Sequence, residues 1–251
     1  MAAEVVDFKI PTGWNSLTDD QLSGVYDLMS SGFFSEEVKL LSLFKWTHTT
    51  VIGRTPSGAY ILVKDKSLFS VSTVAVAEIL PELAWLDSFP EVPVRLSSIN
   101  RRRALPADFS GVPFETFIVC DNLYQGYLHT KDEALLDELG GVLYPKGRFA
   151  LPRRFKPLHR VCFFYWFAAL KDYFSRRFPD FFQPMAATDD GNLLASPSRS
   201  VEAAMNAQIR ALTKGDVTKE AEVLALDTIR ALTELDAQAR EYKEIKSKKH
   251  K

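Results

Sequence analysis

The sequence predicts a mainly α-helical protein, a compact multi-helix body with a small β-hairpin, followed by a C-terminal helical pair. Three observations predict it. Apolar residues recur at three- and four-residue spacing over most of the chain, and capping residues precede these runs. One stretch near 50–63 switches to β-branched and aromatic runs around a Pro/Gly turn. With 251 residues, 46% of them hydrophobic, the chain can bury enough surface to fold without covalent staples.

The first element follows Trp14-Asn15-Ser16-Leu17. Thr18 and Gln21 form a capping box, and Leu22, Val25, Tyr26 and Met29 supply one helical face. Ser31-Gly32 ends it. Ser35, with Glu36 and Glu37 in the first turn, is expected to cap a second helix carrying Val38, Leu41, Phe44 and Trp46. Thr50–Gly53 and Ala59–Val63 then read as a hairpin around Pro56 and Gly58. A lone hairpin is marginal, so a third strand is expected, with Val92–Leu96 as the candidate. Ser72-Thr73 opens a helix through Val76, Ile79, Leu83 and Leu86, and Pro81 should split it.

Pro113 is placed in the first turn of a helix running through Phe114, Phe117, Ile118, Tyr124 and Leu128. Thr130 with Glu133 reads as the cap of the next, whose stripe is Ala134, Leu135, Leu139 and Leu143, and Gly140-Gly141 should loosen its end. Residues 158–182 are the densest stretch. Eleven of the 30 aromatics lie between Phe155 and Phe182, and Val161–Phe167 has no polar face. Such a helix is either the centre of a core or partly covered by another molecule. Ser196-Pro197-Ser198 marks the expected boundary between a body (1–196) and a C-terminal helical pair (197–251). Its final helix, from Thr218 to about Lys246, carries a narrow seam at Leu224, Thr228, Ala231, Leu235, Ala239 and Tyr242, and its basic tail should fray.

Composition restricts the function classes. Thirty-one basic against 32 acidic residues exclude a whole-molecule polycation. Two cysteines exclude a disulfide framework and point to a reducing compartment. The N-terminus shows no basic segment followed by an apolar core, and the longest apolar run, Val161–Leu170, is about half a bilayer span. A soluble, intracellular protein that does not enter membranes is the expectation.

No catalytic constellation is legible. Cys162 follows His159 by three residues, one helix face apart, yet it sits in the most apolar run, where a thiol is hard to ionise. Cys120 precedes Asp121, but His129 is more than two turns away. The four histidines are scattered, without metal-ligand spacing, and Asp189-Asp190-Gly191-Asn192 lacks the later ligands of a calcium loop. Catalytic residues, metal ligands and cofactors are therefore all expected to be absent. The remaining signal is charge. Lys146, Arg148, Arg153, Arg154, Lys156 and Arg160 fall within 15 residues with no acid among them, and Arg101-Arg102-Arg103 forms a second block. Both could hold phosphates.

Ile10–Thr18, the segment Asp121–Tyr127 with Asp132–Leu136, and Met205–Thr213 resemble uncharacterised proteins encoded by bacterial prophages and related mobile elements. Asp227–Leu232 through Tyr242 is similar to the C-terminal helices of phage tail assembly chaperones. The resemblance implies a small helical, non-enzymatic protein that coats the tape-measure protein until the tail tube polymerises around it. The expectation is a phage or prophage assembly factor or structural component, in the host cytoplasm or virion-associated, whose partner is another tail protein or a second copy. Its partner-binding residues would be Phe163, Trp166, Phe167, Tyr173, Leu224, Ala231, Leu235 and Tyr242. The alternative is a nucleic-acid-binding accessory protein that uses the basic loop at 146–160.

Overall fold

The computed structural model describes residues 10–64, 66–147, 155–182, 207 and 209–249. Two compact units are present. The first comprises Met1–Pro90 with Lys156–Cys162, the second Glu91–Phe155 with Phe163–Lys251. The linker expected at 196–198 lies outside the described residues, and the C-terminal elements group with the second unit.

The first unit begins with a helical hairpin, α1 (Asp19–Ser30) and α2 (Ser35–Trp46). The Thr18 box forms as expected, with Gln21 N–H donating to Thr18 Oγ1 (3.3 Å) and Thr18 N–H to Gln21 Oε1 (2.9 Å). Leu22, Val25 and Tyr26 are buried along its face. A three-stranded antiparallel sheet follows, β1 (Thr50–Arg54), β2 (Tyr60–Lys64) and β3 (Ser67–Val71), with β2 in the centre. The third strand is Ser67–Val71, not Val92–Leu96. β3 pairs with the neighbouring β2, whereas 92–96 forms no ladder. One sheet face packs Leu62, Tyr60, Phe69 and Val71 on Phe44 of α2 and Val76. Ser72 caps α3 (Thr73–Ile79), accepting from Ala75 N–H at 3.1 Å, and at Pro81 the chain tightens into a 3₁₀ helix, Leu80–Asp87. Three tryptophans close this unit's core. Trp85 stacks on Trp46 (6.1 Å) and meets Trp14 edge-on (5.5 Å), while Trp14 Nε1–H donates to the carbonyls of Trp85 and Ser88 (both 3.0 Å).

The second unit is built on α4 (Phe114–Thr130), α5 (Glu133–Leu143) and most of α6 (Pro157–Arg177). Pro113 is the cap of α4 rather than a first-turn residue. Asp132, not Thr130, caps α5, accepting from Ala134 N–H at 2.9 Å. Thr130 remains in the last turn of α4, and Lys131 takes the left-handed conformation that ends it (φ 59°). A two-residue hairpin, β4 (Ser98–Ile99) and β5 (Arg102–Arg103), turns through Asn100 and Arg101, both at positive φ (51° and 60°). Phe163, Trp166 and Phe167 are fully buried. Trp166 Nε1–H donates to Ala107 carbonyl (2.9 Å), Phe163 packs on Tyr144 and Phe155, and Phe167 touches Phe109, Phe117 and Tyr124. Gly140 does not loosen α5. It is where α5 meets α6, since a Cβ there would lie 2.1 Å from Phe163 Cε2.

The long final helix is interrupted. A 3₁₀ turn (Val217–Lys219) and α8 (Glu220–Leu224) end before α9 (Thr228–Lys249) begins. Three polar groups make the break. Asp227 Oδ1 accepts from Arg230 N–H (3.1 Å), its Oδ2 accepts from Gly111 N–H (2.6 Å), and Phe114 N–H donates to Leu226 carbonyl (2.8 Å). A short helix, α7 (Pro179–Phe182), docks on α9. Asp236 Oδ1 accepts from the N–H groups of Asp180 and Phe181 (2.8 and 3.0 Å), and Arg240 and Lys243 bind the Asp180 carboxylate (2.9 and 3.1 Å). The start of α9 is therefore buried and its end is exposed. Backbone helix extends to Lys249.

Candidate partner-binding surface

The sequence-expected partner residues divide sharply. Phe163, Trp166, Phe167, Ala231 and Leu235 are core positions, each 0–4% exposed, and a partner cannot reach them. The aromatic density of α6 is absorbed by the second unit's own interior. Leu224 and Tyr173 are half-buried, Tyr173 receiving Arg177 Nη1–H on its hydroxyl (3.0 Å). Only Tyr242 stands clear, at 65% exposed, with Ile245 beside it at 55%. Of the basic loop, Arg148, Arg153 and Arg154 lie outside the described residues. Lys146 is exposed in the second unit, and Lys156 and Arg160 belong to the first. In the arginine block Arg102 is buried, while Arg101 and Arg103 are exposed on the β4–β5 hairpin.

The cysteine readings resolve on burial. Cys120 is fully buried, and burial, with Asp121 next to it, pushes its thiol far above the ordinary range. Cys162 is also fully buried. His159 occupies the third position of α6, and its Nδ1 accepts from Lys156 N–H (3.0 Å) as a helix cap. Among the described residues, no three His, Cys, Asp or Glu side chains gather as a metal site, and no helix is long and apolar enough to cross a membrane. A pocket of about 260 Å³ between residues 209 and 220, lined by Ile209, Arg210, Thr213 and Glu220, is smaller than usual small-molecule sites.

The outstanding surface lies where sequence reasoning did not look. α1 ends with Ser30 Oγ, Ser31 Oγ and Ser31 N–H all donating to Asp27 carbonyl (2.9, 2.8 and 3.1 Å), and Gly32 turns the chain at φ 80°, a conformation open to glycine without strain. The next two residues are Phe33 and Phe34, 43% and 79% exposed. Phe33 stands at the position before the cap, where an apolar side chain commonly staples onto the first turn of the following helix. Phe34 is itself the cap of α2. Only half of a capping box is made there, its N–H donating to Glu37 Oε2 (2.9 Å), because phenylalanine has no side-chain acceptor for the helix's free N–H groups.

This tip is held firmly. Ser35 Oγ donates to Asp87 Oδ1 at the end of the 3₁₀ helix, and Lys39 Nζ, its side chain 6% exposed, sits between Asp87 Oδ2 (2.6 Å) and Glu36 Oε1 (2.7 Å). Hydrogen bonding to Lys39 and then to Ser35 holds the Asp87 carboxyl below its ordinary range, and hydrogen bonding to Asp87 and then to Glu36 raises Lys39. Phe89, two residues beyond Asp87 in the sequence, is 47% exposed. The corner is also acidic. Glu36 and Glu37 lie at the start of α2 and Asp87 meets it there, with the buried Lys39 bound to Glu36 and Asp87. No protein-family model, no curated protein and no solved structure matches the chain. Its functional reading therefore rests on its own surface. A Phe-Phe pair inside a short helix–helix connection, where polar residues are the rule, is the signal that could have found this site.

A second exposed apolar strip lies on the sheet face opposite the core. Val63 and Leu68 are cross-strand partners on it, Leu68 66% exposed, with Ile52 at the β1 bulge 58% exposed. Arg54, Lys64 and Lys66 border that sheet.

Proposed function

We propose that the protein is a non-enzymatic assembly factor that works by docking a partner protein on the Phe33–Phe34–Phe89 corner, in the manner of a phage tail assembly chaperone. The observation that carries the docking reading is Phe34. It is 79% exposed at a helix cap, a position where Ser, Thr, Asp or Asn would stabilise the fold better. Residues that sacrifice local stability on a rigid support mark sites of function. Exposed aromatics on a fixed scaffold are also the residue type that dominates protein–protein binding energy. The tail-assembly assignment is supported by the resemblance of Asp227–Tyr242 to chaperone C-terminal helices. Co-expression with phage tail-tube and tape-measure proteins, followed by size-exclusion chromatography, tests it. The wild-type chain is expected to co-elute with one of them and the Phe34→Ser variant to run alone; failure of the wild type to co-elute with any overturns the reading.

The nucleic-acid alternative keeps one observation in its favour, the exposed Arg101 and Arg103 on the β4–β5 turn. It requires an affinity for DNA or RNA that falls log-linearly with salt, and a flat dependence removes it.

A further inference from the structure

The acidic aromatic corner has a complement in the same chain. At the end of α9, Tyr242 and Ile245 lie three residues apart, hence on one helix face, 65% and 55% exposed. From Glu241 to the last residue the sequence carries five lysines and two glutamates, and Lys243 among them is bound to Asp180. The two surfaces match in chemistry. One offers exposed aromatics flanked by Glu36, Glu37 and Asp87; the other offers an apolar helix face in a lysine-rich segment.

We propose that the C-terminal end of α9 of one copy docks on the Phe33–Phe34–Phe89 corner of a second copy. The occupant is thus another molecule of this chain, and the inference rests on the reading of that corner as a docking surface. The two contacting surfaces differ, so the contact is head-to-tail and leaves a free corner and a free helix end on every pair. Association then continues into rings or short filaments instead of stopping at a dimer. The contact is small and charge-assisted, which makes it weak, reversible and sensitive to ionic strength. That behaviour suits a factor whose own assembly must give way when a stronger partner arrives.

Three full-length proteins test this by sedimentation velocity and light scattering: wild type, Phe34→Ser, and the double variant Tyr242→Ser/Ile245→Ser. Both variants alter exposed side chains and should fold. At about 0.05 M salt the weight-average mass of the wild type should rise with concentration past that of a dimer, and at about 0.5 M salt, where the Debye length is a few Å, it should return to monomer. Each variant alone should stay monomeric. Mixed one to one they should form a discrete dimer and nothing larger, because each brings one intact surface and only one productive contact can form. A wild type that stays monomeric throughout overturns the proposal, as does a mixture that fails to pair. If the wild type is monomeric yet co-elutes with a tail protein in a Phe34-dependent way, the corner is a docking surface and the second copy is the wrong occupant.

Discussion

Both units are rich in aromatic side chains, and they use them in opposite ways. In the second unit Phe109, Phe114, Phe163, Trp166, Phe167 and Phe174 are all fully buried, and with Phe117, Tyr124 and Tyr144 their rings interlock at centroid distances of 5.3–6.4 Å. In the first unit Trp14, Trp46 and Trp85 form a closed platform, while Phe33, Phe34 and Phe89 stand out from it. Aromatic density therefore does not separate core from surface. Position within the local structure separates most of them: the buried rings of α4 and α6 lie on helix faces and the exposed phenylalanines lie at helix ends and in connections, while Phe109 is a ring in a connection that the core covers.

The largest effects should come from disturbing the interlocked unit. Gly140→Ala places a methyl 2.1 Å from Phe163 Cε2 and 2.5 Å from its Cζ, on a ring that is itself fully buried. Overpacking at such a contact costs about 3 kcal/mol. The variant should unfold well below wild type in urea, and the added Phe163→Leu change should recover part of the loss. In the first unit Gly24→Ala on α1 would meet only the far end of the Lys45 side chain, at 2.9 Å. Lys45 can move aside, so the helix-propensity gain of up to about 1 kcal/mol should prevail. If both substitutions have the same sign, the contrast between a close-packed and a yielding unit fails.

A middle-sized effect belongs to the anchor beneath the exposed corner. Asp87→Ala leaves the buried Lys39 ammonium with Glu36 alone. Breaking a buried pair costs about 3–5 kcal/mol, and with the Asp87 side chain 44% exposed we expect about 2 kcal/mol. The pH dependence has a definite sign. The Asp87 carboxyl is held below its ordinary value of 3.8, so its contribution is complete above that pH and is lost as pH falls through the lowered value. Lys39 is raised above 10.5, and its share persists until pH climbs through the raised value. Between those limits the anchor should be insensitive to pH. Chemical denaturation of wild type and Asp87→Ala should therefore differ by a constant amount near neutrality and converge in strong acid.

Much of the architecture was legible in the sequence because its signals are local. The Thr18 box, the Ser72 cap, the split at Pro81 and the hairpin around Gly58 each depend on residues within four positions of one another. What escaped depends on distant groups. The break before α9 is made by Asp227 reaching Gly111 and by Leu226 accepting from Phe114, more than a hundred residues apart in sequence, and a seam of apolar spacing runs straight through it. Phe109 is another case. A bulky residue at φ 59° is sterically disfavoured, and contacts with Phe117, Trp166 and Phe167 accompany its burial in the core. The burial of Phe163, Trp166 and Phe167 has a related reason: the run at Val161–Phe167 is the most apolar in the chain, and apolar runs report burial more often than binding.

The smallest effect on stability is the most informative about function. Phe34→Ser removes a side chain that is 79% exposed and supplies a hydroxyl able to accept from the first-turn N–H groups of α2. A serine cap in place of a residue without an acceptor is worth about 1 kcal/mol, which for a chain of this size raises Tm by about 2–4 °C. Gly24→Ala should stabilise the same helical hairpin by a similar amount without touching the corner. The pair separates folding from docking. Two variants, both firmer than wild type, should differ in partner co-elution, lost in Phe34→Ser and kept in Gly24→Ala. Had evolution been tuning only the fold, serine at position 34 would be the better residue, and a Phe34→Ser protein that is more stable and still fully competent in co-elution would leave the exposed phenylalanine with no function at that corner.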